Sequence, residues 1–186
     1  MREPIHCGCR FHAMRLGPSR RAFMAGFACA AAAPSLAFAQ RSPSAAEDEL
    51  FMRMAIEEAR QAEFPFGAVI VRDGAVLVRG RNLGRSTRDP TAHGEMVAIR
   101  RAVAEHGGAV LRGTTLYTSG EPCTMCMGAI LWSRIGRLVF AASVEQLATK
   151  LDQIMLSAAD IAAAAPFASI SITGGVLADE AMALFK

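Results

Sequence analysis

Residues 114–142 read Thr-Thr-Leu-Tyr-Thr-Ser-Gly-Glu-Pro-Cys-Thr-Met-Cys-Met-Gly-Ala-Ile-Leu-Trp-Ser-Arg-Ile-Gly-Arg-Leu-Val-Phe-Ala-Ala. The β-prone run Thr114 to Thr118 predicts a strand. Pro122 then opens a helix at its first position, where its missing N–H costs nothing, and the helix runs to about Ser133. Arg137 to Ala141 is β-prone again. Strand, helix and strand in this order make a parallel crossover unit.

Working outward, Phe66 to Arg72 and Ala75 to Val78 flank Asp73-Gly74, the signature of a hairpin. Ser44-Ala45-Ala46-Glu47 has the form of a capping box, and apolar residues at helical spacing carry a first helix to about Ala62. A polar loop closed by Asp89-Pro90-Thr91 precedes a helix from His93 to His106, ended by Gly107-Gly108. Residues 144 to 165 are expected to be helical with one break. Ser169 to Thr173 forms a last strand, and Val176 to Phe185 a last helix. The order α, β, β, α, β, α, β, α, β, α predicts one α/β domain, with a mostly parallel sheet and helices on both faces.

At 186 residues and 52% hydrophobic content, the chain is too apolar for disorder and long enough for one core. Of the formal charge of +3, residues 1–39 hold five arginines and one acid, leaving the remainder at −1. That near-neutral body lacks the basic footprint of phosphate-backbone binding, so no nucleic-acid partner is expected.

The first 39 residues have the pattern of an export signal. Arg20-Arg21 precede an alanine-rich apolar run, and Ala37-Phe38-Ala39 supplies a small-x-small cleavage site. The expectation is a twin-arginine signal at 1–39 that engages the twin-arginine translocase, with cleavage after Ala39 and a periplasmic mature domain at 40–186. Pro34 and the abundance of alanine argue against a stable membrane anchor. Cys7, Cys9 and Cys29 would leave with the signal. Cys123 and Cys126 alone cannot form a disulfide framework, whereas a metal bound before export would protect them.

The chemistry gathers at two helix starts, His93-Gly94-Glu95 and Pro122-Cys123-Thr124-Met125-Cys126, the paired pattern of zinc deaminases. Cysteines three apart share a helix face, and the positive end of the helix favours their thiolates. His93 can add a third ligand. Three ligands leave a tetrahedral zinc one open position for water, whose pKa falls from about 15.7 towards about 7. Glu95, two residues beyond His93, would carry protons. Two other arrangements use the same residues: a closed structural zinc site with His106 as fourth ligand, and a redox Cys-x-x-Cys. The first is poorly shaped, because thirteen helical residues at about 1.5 Å each separate His93 from His106 by about 20 Å. The second leaves His93 and Glu95 without a role.

From Phe64 to Ala142 the chain resembles the cytidine deaminase superfamily, in the branch of guanine, cytosine and tRNA adenosine deaminases. The likeness is carried by Pro65 to Val71, by Asp89 to Glu95 and by Leu116 to Ile130, and the ending Ile172 to Glu180 resembles the tRNA enzymes. The resemblance implies a three-layer α/β/α fold with a five-stranded mixed sheet. It also implies one zinc per chain on His93, Cys123 and Cys126, Glu95 as the catalytic proton shuttle, and a homodimer. Asn82 stands where these enzymes place an asparagine that hydrogen-bonds the base, although Asn82-Leu83-Gly84 also reads as a turn. Phe66 is positioned either to stack on the base or to pack in the core.

The expected function is an exported, zinc-dependent hydrolytic deaminase of a free nucleobase or related amino-heterocycle, releasing ammonia. Guanine is the first expected substrate and cytosine or cytidine the second. After these come a tRNA adenosine deaminase and a non-catalytic metal-binding protein on the same fold. Two departures bear on the choice: His-Gly-Glu replaces the His-Ala-Glu usual in guanine and tRNA enzymes, and Ala141 to Leu147 lacks the aspartate that guanine deaminases carry there. Trp132 is expected to pack, and Arg134, Arg137, Arg100 and Arg101 to be solvated.

Overall fold

The computed structural model describes residues 44–186. The expected export signal, with its arginine pair and expected cleavage site, lies outside the described residues. Helix α1 (Ala45–Arg60) starts as its sequence demands: the Ser44 hydroxyl accepts the Glu47 N–H, and the Glu47 carboxylate accepts the Ser44 N–H. Strands β1 (Gly67–Arg72) and β2 (Ala75–Arg81) form the expected antiparallel hairpin. Asp73 and Gly74 both take positive φ, 51° and 76°, the handedness that matches strand twist.

The loop after β2 holds a four-residue helix, α2 (Gly84–Thr87), which polar composition alone does not announce. The Glu63 carboxylate accepts the Arg85 and Ser86 N–H groups and supplies the missing cap. Then follow α3 (Gly94–His106), a 3-10 turn (Gly108–Leu111), β3 (Thr115–Gly120), α4 (Thr124–Trp132) and β4 (Arg137–Ala142). Helices α5 (Val144–Ala148) and α6 (Ala158–Ala163), β5 (Ser171–Thr173) and α7 (Ala178–Met182) complete the order. The break expected within 144–165 falls over 149–157, where Ser157 caps a new helix. Pro122 does not occupy the first helical position, because Cys123 is the N-cap of α4 and the proline stands before it.

The sheet order is β2-β1-β3-β4-β5. Only β3–β4 and β4–β5 are parallel, while β1 is antiparallel to both neighbours, so the sheet is mixed rather than mostly parallel. The cause is topological. The connection through α3 carries the chain over β1, and β3 lands on its far side parallel to β2 but antiparallel to the strand it touches.

Alternation along the strands divides the core into two layers. Ala68, Ile70, Leu116 and Leu138 face Ala98, Ile99, Met127 and Ile130 of α3 and α4. Val69, Val71, Tyr117 and Val139 face Phe51, Met52, Ala55 and Ile56 of α1, with α7 beside them. Within this second layer Asp48 receives two hydrogen bonds from Arg137, at 2.6 and 2.7 Å, and one from the Tyr117 hydroxyl at 2.8 Å. Arg137 is therefore a half-buried partner, its side chain 19% exposed, and not the solvated residue its strand-edge position suggests. No helix among the described residues is long and apolar enough to cross a membrane.

Candidate active site

The site lies where α3 and α4 begin. His93 is the N-cap of α3 and Cys123 the N-cap of α4, both with extended dihedrals that swing their side chains off the helix starts. The seating of α3 depends on small residues. A Cβ on Gly80 would stand 2.3 Å from the Gly94 carbonyl oxygen and 2.5 Å from the Ala98 nitrogen, so only glycine lets β2 approach this closely. Gly94 approaches β1 in turn, its Cβ position 3.1 Å from the Gly67 Cα. The loop before His93 is clamped as well. Asp89 accepts the Thr91 N–H and hydroxyl at 2.8 and 2.6 Å, and Arg100, exposed as expected, also bridges Asp89 and Thr91 at 3.0 Å each.

Across 30 residues of sequence, Cys123 Sγ comes to 3.7 Å from His93 Nδ1, and Cys126 Sγ to 3.6 Å. All three donor atoms lie within 4.8 Å of one another. Zinc–sulfur and zinc–nitrogen bonds of about 2.3 and 2.0 Å at tetrahedral angles would hold sulfur and nitrogen about 3.5 Å apart. One imidazole nitrogen and two sulfurs at this spacing fit zinc.

The local electrostatics suit the same purpose. The Cys126 thiol donates to Cys123 and, aided by His93, pulls the Cys123 thiol down to about 4, against the opposing effect of burial. Cys126, the donor of that pair and itself buried, is pushed up. Hydrogen bonding with Cys123 raises the His93 imidazole above its ordinary value, although burial opposes it. Glu95 is 4% exposed, and burial pushes its carboxyl above the usual carboxylate range, with the Cys123 charge adding to the effect. A carboxyl so placed keeps its proton more readily than a solvated one.

The other expected site residues divide. Asn82 is buried, and its Oδ1 accepts the Gly84 N–H at 3.1 Å, so the turn suggested by its sequence is made. Its Nδ2 has no hydrogen-bond partner among the described residues. Phe66 packs with Phe185 at 5.3 Å and Phe64 at 5.5 Å, and its ring lies against Gly120. His106 ends the continuous α3, beside Glu105, and takes no part in the metal group, which removes the closed four-ligand arrangement. Trp132, expected to pack, does so at the surface: it is 72% exposed and stacks on Phe167 with centroids 4.5 Å apart. Sequence reasoning missed Glu121, buried beside the Cys123 loop; an acid adjoining a proline and a ligand cysteine was its available signal.

His-x-Glu and Pro-Cys-x-x-Cys converging from two helix starts on one donor cluster define the zinc-dependent deaminase class. Residues 45–142 match the family model of the cytidine and deoxycytidylate deaminase zinc-binding region, and the chain belongs to that family. Among curated relatives, guanine deaminase of Bacillus subtilis is 51% identical over 78 residues, covering 42% of this chain and 50% of the relative. The tRNA-specific adenosine deaminase of the same organism is 43% identical over 100 residues, covering 52% of this chain and 62% of the relative. The chain thus spans between half and two thirds of the length of these two relatives. A solved tRNA:A34 deaminase, described for A-to-I editing at the wobble position, superposes with a TM-score of 0.64 at 34% identity, covering 73% of this chain and 98% of that one. The α/β fold with its five-stranded mixed sheet is that of cytidine deaminase-like proteins.

Proposed function

We propose that the protein is a zinc-dependent hydrolytic deaminase of a free nucleobase or related amino-heterocycle, with guanine first and cytosine second. The observation that carries this is the convergence of His93, Cys123 and Cys126 within 4.8 Å, with buried Glu95 two residues from the histidine. His93 Nδ1 and the two sulfurs would hold one zinc. When bound, zinc supplies the Lewis acidity that makes water a nucleophile at neutral pH. Glu95 takes one proton from the attacking water and delivers it to the ring nitrogen, then takes the remaining proton of the added hydroxyl and passes it to the amine, which departs as ammonia when the C–N bond breaks. Water and the amino-heterocycle thereby become the oxo-heterocycle and ammonia. Asn82 is held at Oδ1 by Gly84 and offers Nδ2 to an acceptor on the substrate ring. Phe66, engaged in the Phe64–Phe185 cluster, would present a ring edge as one wall.

The family relatives include both guanine and tRNA adenosine deaminases. The near-neutral charge of residues 40–186 and the expected periplasmic address favour a small substrate over tRNA. Export by the twin-arginine route, with a mature chain from Gln40, belongs to the same proposal. So does a homodimer, for which exposed Trp132, Ile154, Met155 and Phe167 offer apolar surface.

Ammonia release by the zinc-loaded protein tests the reading, against guanine, cytosine, adenine, their nucleosides, other aminopurines and triazines. Turnover of one free base supports it. Turnover confined to a tRNA anticodon stem would move the substrate class, and silence with zinc bound would leave a metal-binding protein. Fractionation with N-terminal sequencing checks export, and light scattering on the eluted protein checks the dimer.

A further inference from the structure

We propose that Glu121 is a positioning residue that sets the Cys123 side of the metal group by fastening the Cys123 loop to the starts of two later helices; this rests on the zinc reading above. Glu121 is 8% exposed and stands two residues before Cys123. Its Oε2 accepts the Val144 N–H at 2.8 Å and its Oε1 the Ala158 N–H at 2.7 Å, partners 23 and 37 residues away in sequence. Its own N–H donates to the Ala142 carbonyl at 2.7 Å. One residue is therefore tied at once to the end of β4, the first residue of α5 and the first residue of α6.

The arrangement has a clear division of labour. The first amides of a helix have no partner within it. In α5 and α6 the capping serines, Ser143 and Ser157, take the third amides, those of Gln146 and Asp160, and leave the first amides of both helices for the carboxylate. The carboxylate serves each amide with its own oxygen, and the short distances are those of charge-assisted bonds. Between the two helices, residues 149–157 contain no regular element, so Glu121 is what joins their starts. On its other side Pro122 has a fixed φ, and Cys123 follows in extended conformation at φ −61° and ψ 168°. A shift at Glu121 is thus passed through a stiff link to the Cys123 sulfur, although Glu121 touches none of the three donor atoms. Its effect should therefore appear in metal affinity.

The test is zinc affinity by competition with a chromophoric chelator, run beside thermal melts of the zinc-free proteins. Glu121→Gln places an NH2 group against one of the two amides and is expected to weaken zinc binding about tenfold, the scale of losses when groups supporting metal ligands are removed. Ala158→Pro leaves Glu121 intact and deletes one donor. Proline is acceptable there because Ala158 is the first residue of α6 and Ser157 before it is extended, at φ −69° and ψ 157°. A severalfold loss of zinc affinity is expected. Melting points that fall while zinc affinities stay within twofold of wild type would overturn the proposal and leave Glu121 a purely structural residue. Failure of both variants to fold overturns it likewise. A wild-type protein that binds no zinc removes the zinc reading itself, a result distinguishable from one in which wild type and variants bind equally well.

Discussion

At the scale of single residues, the chemistry turns on Glu95, a carboxyl two positions into a helix whose burial raises its proton affinity. Glu95→Gln keeps the volume and polarity but cannot cycle a proton. Turnover is expected to fall by about 10²- to 10⁴-fold, with zinc content by elemental analysis unchanged; a variant that stays active ends the assignment. Asn82→Ala tests the other contact. Loss of one hydrogen bond of about 0.5–1.5 kcal/mol should raise KM roughly 2- to 13-fold with little change in kcat, whereas an unchanged KM reduces Asn82 to the turn it makes with Gly84. His93, Glu95, Cys123 and Cys126 were legible in the sequence because each motif is local to one helix start. The surroundings of Arg137 and Trp132 were not, for a shared reason. The partner that holds Arg137 is Asp48, 89 residues away, and the Phe167 on which Trp132 of α4 stacks lies in the segment after α6, so neither environment leaves a trace in neighbouring residues.

At the scale of elements, helix periodicity and the Asp-Gly turn placed the long helices and the hairpin, but the ends moved wherever a distant cap decided them. Pro122 marks the start of α4 and yet stands outside it, because Cys123 is recruited as N-cap. The seating of α3 on β2 was equally invisible, since it depends on what Gly80 lacks. Gly80→Ala brings a Cβ to 2.3 Å from the Gly94 carbonyl oxygen, so α3 must lift from the sheet. A cost of about 1–3 kcal/mol is expected, together with weaker zinc binding because His93 moves with the helix; an unaltered melting point would show that the sheet yields instead. The anchoring of α1 adds a pH dependence. Burial pushes the Asp48 carboxyl up, but hydrogen bonds from Arg137 and Tyr117 outweigh it and hold it below its ordinary value. A carboxyl depressed in the folded state contributes its stability fully above the unfolded value, about 3.9, and loses it as pH falls through the folded value. Asp48→Asn removes the charge partner of half-buried Arg137 and should cost about 1.5–3 kcal/mol near pH 7. In urea melts that difference should shrink below about pH 4, and a constant difference down to pH 2 would refute the linkage.

At the scale of the whole molecule, the sequence pattern predicted layers more readily than strand directions. Alternation of helix and strand sufficed for three layers, but β1 lies antiparallel beside β3 only because the α3 connection passes over it, a matter of chain path that no local signal encodes. That path also makes the metal group a long-range tie. His93 comes from the connection between β2 and β3, the cysteines from that between β3 and β4, and their donor atoms meet across 30 and 33 residues. In the unfolded chain the two segments separate, so zinc should bind the folded state in strong preference and stabilise it by mass action. At free zinc about 100 times the dissociation constant the gain is about 2.7 kcal/mol. For a domain of this size each kcal/mol moves the midpoint by roughly 2–4 °C, so a chelator should lower Tm by about 5–11 °C. Restored zinc should recover the midpoint, and magnesium or calcium should not, because two sulfurs and an imidazole are poor ligands for cations that seek oxygen. A midpoint indifferent to chelation would mean that zinc does not bind the folded state in preference to the unfolded chain, and would end the zinc reading of this donor group.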